Sequence, residues 1–189
     1  MVHLLSEKNS IINQFIAELR NVDTQNDRMR FRRNLERIGE IAAIEISKTL
    51  PYKMQEVTTP LGIANVSLPA EQPVVGTILR AGLPLHQGIL NYFDHADNAF
   101  ISAYRKHHKD GTFDIRLDYV SSPSLNGRIL ILADPMLATG SSIVTTYKAI
   151  LERGKPKHTH IVAAVGSIQG VEYVKKHMPE EVDIWIGAI

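Results

Sequence analysis

From Ile129 to Ile186 the chain alternates short apolar runs with stretches of helical periodicity. The runs 129–133, 161–165 and 182–186 read as strands, and 142–153 and 171–177 as helices. Strands joined through helices run parallel, because each helix carries the chain back along one face of the sheet. The expected core is therefore a mainly parallel sheet covered by helices. Two more apolar runs extend it upstream. Residues 74–79 read as a fully buried strand, 99–104 as another, and 83–92 as the helix between them.

The first 52 residues read as a helical layer. Ser10 is placed to cap a short helix with Ile11, Phe15, Ile16 and Leu19 on one face. Thr24 to Asp27 resembles a capping box with Asp in place of Glu. Behind it Phe31, Leu35, Ile38, Ala42 and Ile46 recur at helical spacing until Leu50-Pro51 ends the helix. Residues 54–59 and 63–68 alternate as strands around Pro60-Leu61-Gly62, a turn. Residues 112–120 set Phe113, Ile115, Leu117 and Tyr119 against Asp114, Arg116 and Asp118. That alternation suits a half-exposed antiparallel arm, spanning 106–121 with its polar lead-in 106–111, rather than a central strand. The whole chain, 1–189, reads as one α/β domain.

Composition narrows the function classes. A formal net charge of +1 argues against binding nucleic acid through bulk charge. With no cysteine, thiolate metal sites, disulfides and cysteine nucleophiles are excluded. No apolar run approaches the ~18 residues that span a bilayer, and the first residues do not form a secretory signal. A cytoplasmic protein that binds neither nucleic acid nor membrane is expected.

The chemistry concentrates where the strand 129–133 ends. Asp134 follows it directly, then Pro135, Met136, Leu137 and Ala138, then Thr139-Gly140-Ser141-Ser142 at the opening of a helix. Open α/β sheets place ligands at the carboxyl ends of their strands. A tight turn running into a helix directs backbone N–H groups and the positive end of the helix dipole at one anion. Gly140 lets backbone approach closely, and the hydroxyls add donors. A carboxylate beside an anion cradle suits a sugar phosphate. Taken alone, Thr-Gly-Ser-Ser also fits an ordinary capped turn.

Residues 134–142 resemble the 5-phosphoribosyl 1-diphosphate (PRPP) signature of type I phosphoribosyltransferases, in the Asp-Pro-Met-Leu-Ala-Thr-Gly form of the uracil branch. Two further segments match that family in order and spacing. Thr77-Ile-Leu-Arg80-Ala-Gly82 resembles its diphosphate-side loop, and Ala103-Tyr-Arg105 the strand end carrying a second PRPP-binding arginine. Pro135 and Ala138 stand where other branches carry acidic residues, which is usual in the uracil branch. Ser141 stands where most uracil enzymes carry glycine. The resemblance implies transfer of phosphoribose from PRPP to uracil. Asp134 and Arg105 would be catalytic, and Arg80, Arg105 and every residue from Asp134 to Ser142 would bind PRPP. Mg²⁺ would enter with PRPP, with no dedicated protein metal ligands, and the assembly would be a homodimer or a higher even oligomer. A regulator that senses PRPP without turnover, and a transferase for another nucleobase, remain alternatives on the same motifs. The family also carries a C-terminal base-binding segment, Tyr-Ile-Val-Pro-Gly-Leu-Gly-Asp-Ala-Gly-Asp, that nothing up to Ile189 matches, so no uracil-binding residue is assigned.

Other candidates have blander readings. Arg28, Arg30, Arg32, Arg33 and Arg37 suit a charged helix face or subunit contact more than an RNA or effector site, because Asp27, Glu36 and Glu40 interleave. His158 and His160 are i, i+2 without a third ligand. His107-His108 read as loop, and Trp185 as core or interface. The loop 166–170 lies at the ligand-bearing sheet edge but is assigned no role.

Overall fold

The computed structural model describes residues 1–107 and 113–189, with the side chains of 103–107 and 113–117 outside that description. Among the described residues ten strands and five α-helices follow in the order β1 (Val2–Leu4), α1 (Ile12–Arg20), α2 (Arg28–Ser47), β2 (Tyr52–Thr59), β3 (Gly62–Pro69), β4 (Val74–Leu79), α3 (Leu83–Leu90), β5 (Asp97–His107), β6 (Phe113–Ser121), β7 (Ile129–Ala133), β8 (Met136–Leu137), α4 (Ser141–Ile150), β9 (His158–Gly166), α5 (Ile168–His177) and β10 (Val182–Ala188), with a 3-10 turn at Leu151–Arg153 after α4. The main sheet runs β1-β10-β9-β7-β4-β5-β6, with β8 added to the end of β9. Every pairing in it is parallel except β5 with β6.

Strand β7 shows why the central runs are apolar throughout. Ile129, Ile131 and Ala133 point into the layer that contains Ile12, Ile38, Leu85 and Ile89 of α1, α2 and α3. Leu130 and Leu132 point the other way, against Ile143 and Tyr147 of α4 and Val174 of α5. A strand covered on both faces has no polar side to reserve. The α/β class and the helical layer expected from the sequence are both present.

Several boundaries differ from expectation. In α1 the buried positions are Ile12, Ile16 and Leu19, while Ile11 is 59% exposed. Helix α2 is capped by Asp27 rather than Thr24. The Asp27 carboxylate accepts from the N–H groups of Met29 and Arg30 at 3.1 and 3.0 Å, satisfying donors that the helix cannot. Thr24 instead donates its hydroxyl to the Glu18 carbonyl at 2.9 Å. Strands β1 and β8 had no signal in the sequence, being too short to show a period.

The arm is visible in the backbone. The last β4–β5 pair is Leu79 with Ser102. Beyond an irregularity between Ser102 and Ala103, β5 pairs with β6 alone, so this hairpin projects past the parallel sheet. Lys106 and His107 belong to β5 rather than to a polar lead-in. The expectation for 108–112, His108 included, lies outside the described residues. A second hairpin, β2–β3, forms a two-stranded sheet of its own, with Met54, Leu61 and Ile63 exposed.

Candidate active site

Strands β4 and β7 are neighbours and end at the same edge, Thr77 lying opposite Ala133. The buried Thr77 hydroxyl donates to the Ala133 carbonyl at 3.3 Å, tying the two ends together. Asp134 follows immediately, its N–H continuing the ladder to the Val162 carbonyl at 3.0 Å. On β4 the Leu79–Arg80 peptide is cis, and the Gly82 N–H returns to the Ile78 carbonyl at 3.1 Å. These two turns set Arg80 and Asp134 into the lining of one cavity of about 710 Å³. Its walls also include Pro135 and Met136 of the signature, Ala164 and Val165 of β9, and Leu83 and Pro84 at the start of α3.

The helical layer supplies the opposite wall, with Leu19, Arg20, Gln25, Phe31, Arg32 and Leu35. The sequence reading missed this contribution, because it depends on how α1 and α2 lie over the sheet. A signal was present in the arginine excess of α2. Arg30 and Arg33 pair with Glu18 and Glu36 at 3.2 and 2.8 Å, and Arg37 sits over the Phe15 ring at 4.9 Å. The Asn34 amide, then Gln14 and Arg30, hold Glu18 below the usual carboxylate range. Arg33 does the same to Glu36. Arg32 instead faces the cavity, so among the described residues its lining carries Arg20, Arg32 and Arg80 against the one carboxylate Asp134. Such a balance attracts a polyanion.

Beside the cavity, residues 135–142 form a braced turn. The Pro135 carbonyl accepts from the N–H groups of Ala164 and Val165 at 3.1 and 3.2 Å, and β8 then pairs with Val165 and Gly166. Leu137 is 2% exposed and packs in the core, so any contact it makes with a ligand is through its backbone. Gly140 takes the left-handed conformation, φ 75°, and precedes α4 directly. This needs glycine. Of the first-turn N–H groups of α4, that of Ser141 contacts Thr139 Oγ1 at 3.5 Å and that of Val144 donates to the Gly140 carbonyl at 3.2 Å, leaving those of Ser142 and Ile143 to meet an anion. The hydroxyls of Thr139 and Ser141 lie 2.8 Å apart. No described non-glycine residue has positive φ, so the Cβ of Ser141 is accommodated.

The 166–170 loop, without a role in the sequence reading, holds this turn from behind. The Ser167 N–H donates to the Leu137 carbonyl at 3.0 Å, and its hydroxyl donates to the Ala138 carbonyl at 2.5 Å. The same hydroxyl caps α5 by accepting from the Gly170 N–H at 2.9 Å. Gly170 is crowded: a Cβ there would stand 2.5 and 2.6 Å from the Leu137 and Ala138 carbonyl oxygens. Gly170→Ala should therefore push the turn out of shape and raise its Kd for a sugar phosphate at least about tenfold. Ser167→Ala, losing hydrogen bonds worth about 1 kcal/mol each, should raise it only severalfold. Calorimetric titration with a sugar phosphate checks both, and a wild-type Kd in Gly170→Ala would refute the brace.

The backbone places Arg105 on the projecting part of β5, opposite Ile115. Its side chain lies outside the described residues.

This arrangement can be set beside known proteins. Residues 6–189 match the family model described as uracil phosphoribosyltransferase. A Porphyromonas gingivalis protein named uracil phosphoribosyltransferase is 52% identical over 189 residues, spanning 100% of this chain and 87% of that protein. One of the same name from Pyrococcus furiosus is 32% identical over 186 residues, 97% of this chain and 78% of that protein. Among solved structures, an Aquifex aeolicus protein superposes with a TM-score of 0.86 at 27% identity, covering 100% of this chain and 86% of its own. A purine phosphoribosyltransferase from Pyrococcus horikoshii reaches 0.56 at 10% identity, over 82% of this chain and 86% of its own, a likeness of fold alone. With the signature turn, its cavity and near-complete coverage in agreement, the chain belongs to the uracil phosphoribosyltransferase family.

Proposed function

We propose that the chain transfers the phosphoribosyl group of PRPP to uracil, giving UMP and diphosphate. The observation that carries this reading is the placement of Arg80 and Asp134 in one cation-rich cavity beside the braced turn at Gly140. That arrangement offers a carboxylate for ribose hydroxyls between two anion-binding elements. In the reaction the bond from ribose C1 to the diphosphate oxygen breaks, and the bonding pair leaves with diphosphate. Uracil N1 bonds to C1 and gives up its proton to water or a phosphate oxygen.

The ribose becomes cationic as the bond loosens, so a nearby carboxylate stabilises it, while arginine neutralises the departing diphosphate. Asp134 takes the first role and Arg80 the second, with Arg105 as a further diphosphate contact. The turn 138–142 holds the 5′-phosphate. Proximity supplies much of the remaining acceleration.

The cavity lining contains one carboxylate among the described residues, which suits a Mg²⁺ held by substrate oxygens rather than by a protein cage. When bound, Mg²⁺ would neutralise diphosphate charge. The projecting β5–β6 arm and the exposed apolar residues of β2–β3 support an even homo-oligomer. Among the described residues no helix is long and apolar enough to cross a membrane. Transfer to uracil would place the chain in pyrimidine salvage, with the cytoplasm as its compartment.

The purified chain, incubated with PRPP, Mg²⁺ and one nucleobase at a time, should form UMP from uracil. Product from a different base alone would reassign the substrate. PRPP binding without product from any base would make the chain a sensor and overturn the enzymatic reading.

A further inference from the structure

Away from the substrate cavity, the amino ends of β9, β10 and β1 bring four potential metal ligands to one face of the sheet. His158 and His160 are two apart on β9 and share that face. Asp183 of β10 lies in register with His160, and His3 of β1 in register with Trp185. The sequence reading had two histidines without a third ligand; the parallel register supplies one. One ligand atom each from His158, His160 and Asp183 fall within 4.8 Å of one another. His158 Nε2 is 2.9 Å from Asp183 Oδ2, and His3 Nε2 is 3.5 Å from Asp183 Oδ1.

We propose that His158, His160 and Asp183, with His3 as fourth donor, bind one zinc(II) ion that staples β1 to β9 and β10. Three imidazoles and a carboxylate suit zinc, which takes four ligands tetrahedrally at about 2.0–2.2 Å. Mg²⁺ prefers an all-oxygen shell. The ligand atoms of His158, His160 and Asp183, within 4.8 Å of one another, need only small side-chain movements to close around an ion, and His3, whose ring stacks on Trp185 at 3.9 Å, turns to join them. His160 is buried at 2% exposure, while His3 and His158 are 28% and 36% exposed, leaving an entry path from solvent. The groups around the site also include the Met1 amino group, 2.8 Å from Asp183 Oδ1, which zinc would displace.

Binding has a built-in reporter. The Trp185 indole N–H donates to His160 Nδ1 at 3.1 Å, and Trp185 is the chain's single tryptophan. Coordination through Nδ1 displaces that N–H directly. Coordination through Nε2 moves the ring proton to Nδ1, where it opposes the indole proton. Either way the indole bond is lost, and Trp185 emission must change.

The test is a Zn²⁺ titration of the untagged, chelator-stripped full chain, followed by calorimetry and Trp185 fluorescence. One ion per chain is expected, with Kd below about 10 μM and a change in emission. His158→Gln removes a partly exposed ligand and should weaken binding at least about tenfold, while its melting temperature in EDTA stays at the wild-type value. Zinc should raise the melting temperature of wild type and not of His158→Gln. Mg²⁺ at the same concentrations should leave the emission unchanged. Zinc binding of unchanged affinity in both His158→Gln and the His158→Gln, His160→Asn double variant would overturn the proposal. So would wild-type binding that leaves Trp185 emission unaltered, or no binding below about 100 μM. None of these readouts uses catalytic turnover, so the result stands independently of the transferase reading.

Discussion

Replacing Asp134 with Asn is expected to lower kcat/KM for PRPP roughly 100-fold while leaving the fold intact. Asp134 is half-buried at the end of β7, with its backbone held by the Val162 carbonyl. Asn has the same shape and leaves that backbone bond in place, so stability should change by no more than about 1 kcal/mol, checked by urea unfolding. What is lost is the charge. Hydrogen bonds to an ionised acceptor contribute about 1.5–3 kcal/mol, roughly twice a neutral one, and two ribose hydroxyls are in question. The positive charge on the ribose is larger in the transition state than in bound PRPP. The loss should therefore fall on kcat as well as on KM. Unchanged kinetics would remove Asp134 from the ribose site.

Arg80→Ala should cost between about 10- and 100-fold in kcat/KM, with kcat falling too, because diphosphate gains charge as it leaves. Arg80 is exposed on the cavity wall, so its removal should not unfold the chain. Arg80→Lys separates charge from geometry. Lysine keeps the positive charge but loses the planar fork that binds two phosphate oxygens at once. It should recover part of the loss and not all of it. Full recovery in Arg80→Lys would reduce the role of Arg80 to long-range attraction. An effect on KM alone in Arg80→Ala would restrict it to ground-state binding.

Much of this could be read from the residues because each central element carries its own pattern, a continuous apolar run in the strands and a helical period in the helices. Strand β7 is apolar on both faces, and α4 follows a turn whose glycine is fixed by backbone geometry. The pair Arg80 and Asp134 was legible because both directly follow buried strands, and parallel strands deliver such residues to one edge. What stayed hidden depended on packing between distant segments. Arg32 reads as one of several arginines on α2 until that helix is laid across the cavity. Ser167 and Gly170 read as a plain strand-to-helix loop, since their partners, the Leu137 and Ala138 carbonyls, are about 30 residues upstream. The Asp27 cap was displaced from Thr24 because both sites carry a capping side chain, and only the path out of α1 chooses between them.

The most direct test of the account is a crystal structure of the chain with PRPP bound in the absence of base. The account places the 5′-phosphate within about 3 Å of the N–H groups of residues 139–142, the ribose hydroxyls on Asp134, and the diphosphate on Arg80. PRPP bound in the reverse sense, with its 5′-phosphate on Arg80, or bound outside this cavity, would contradict it.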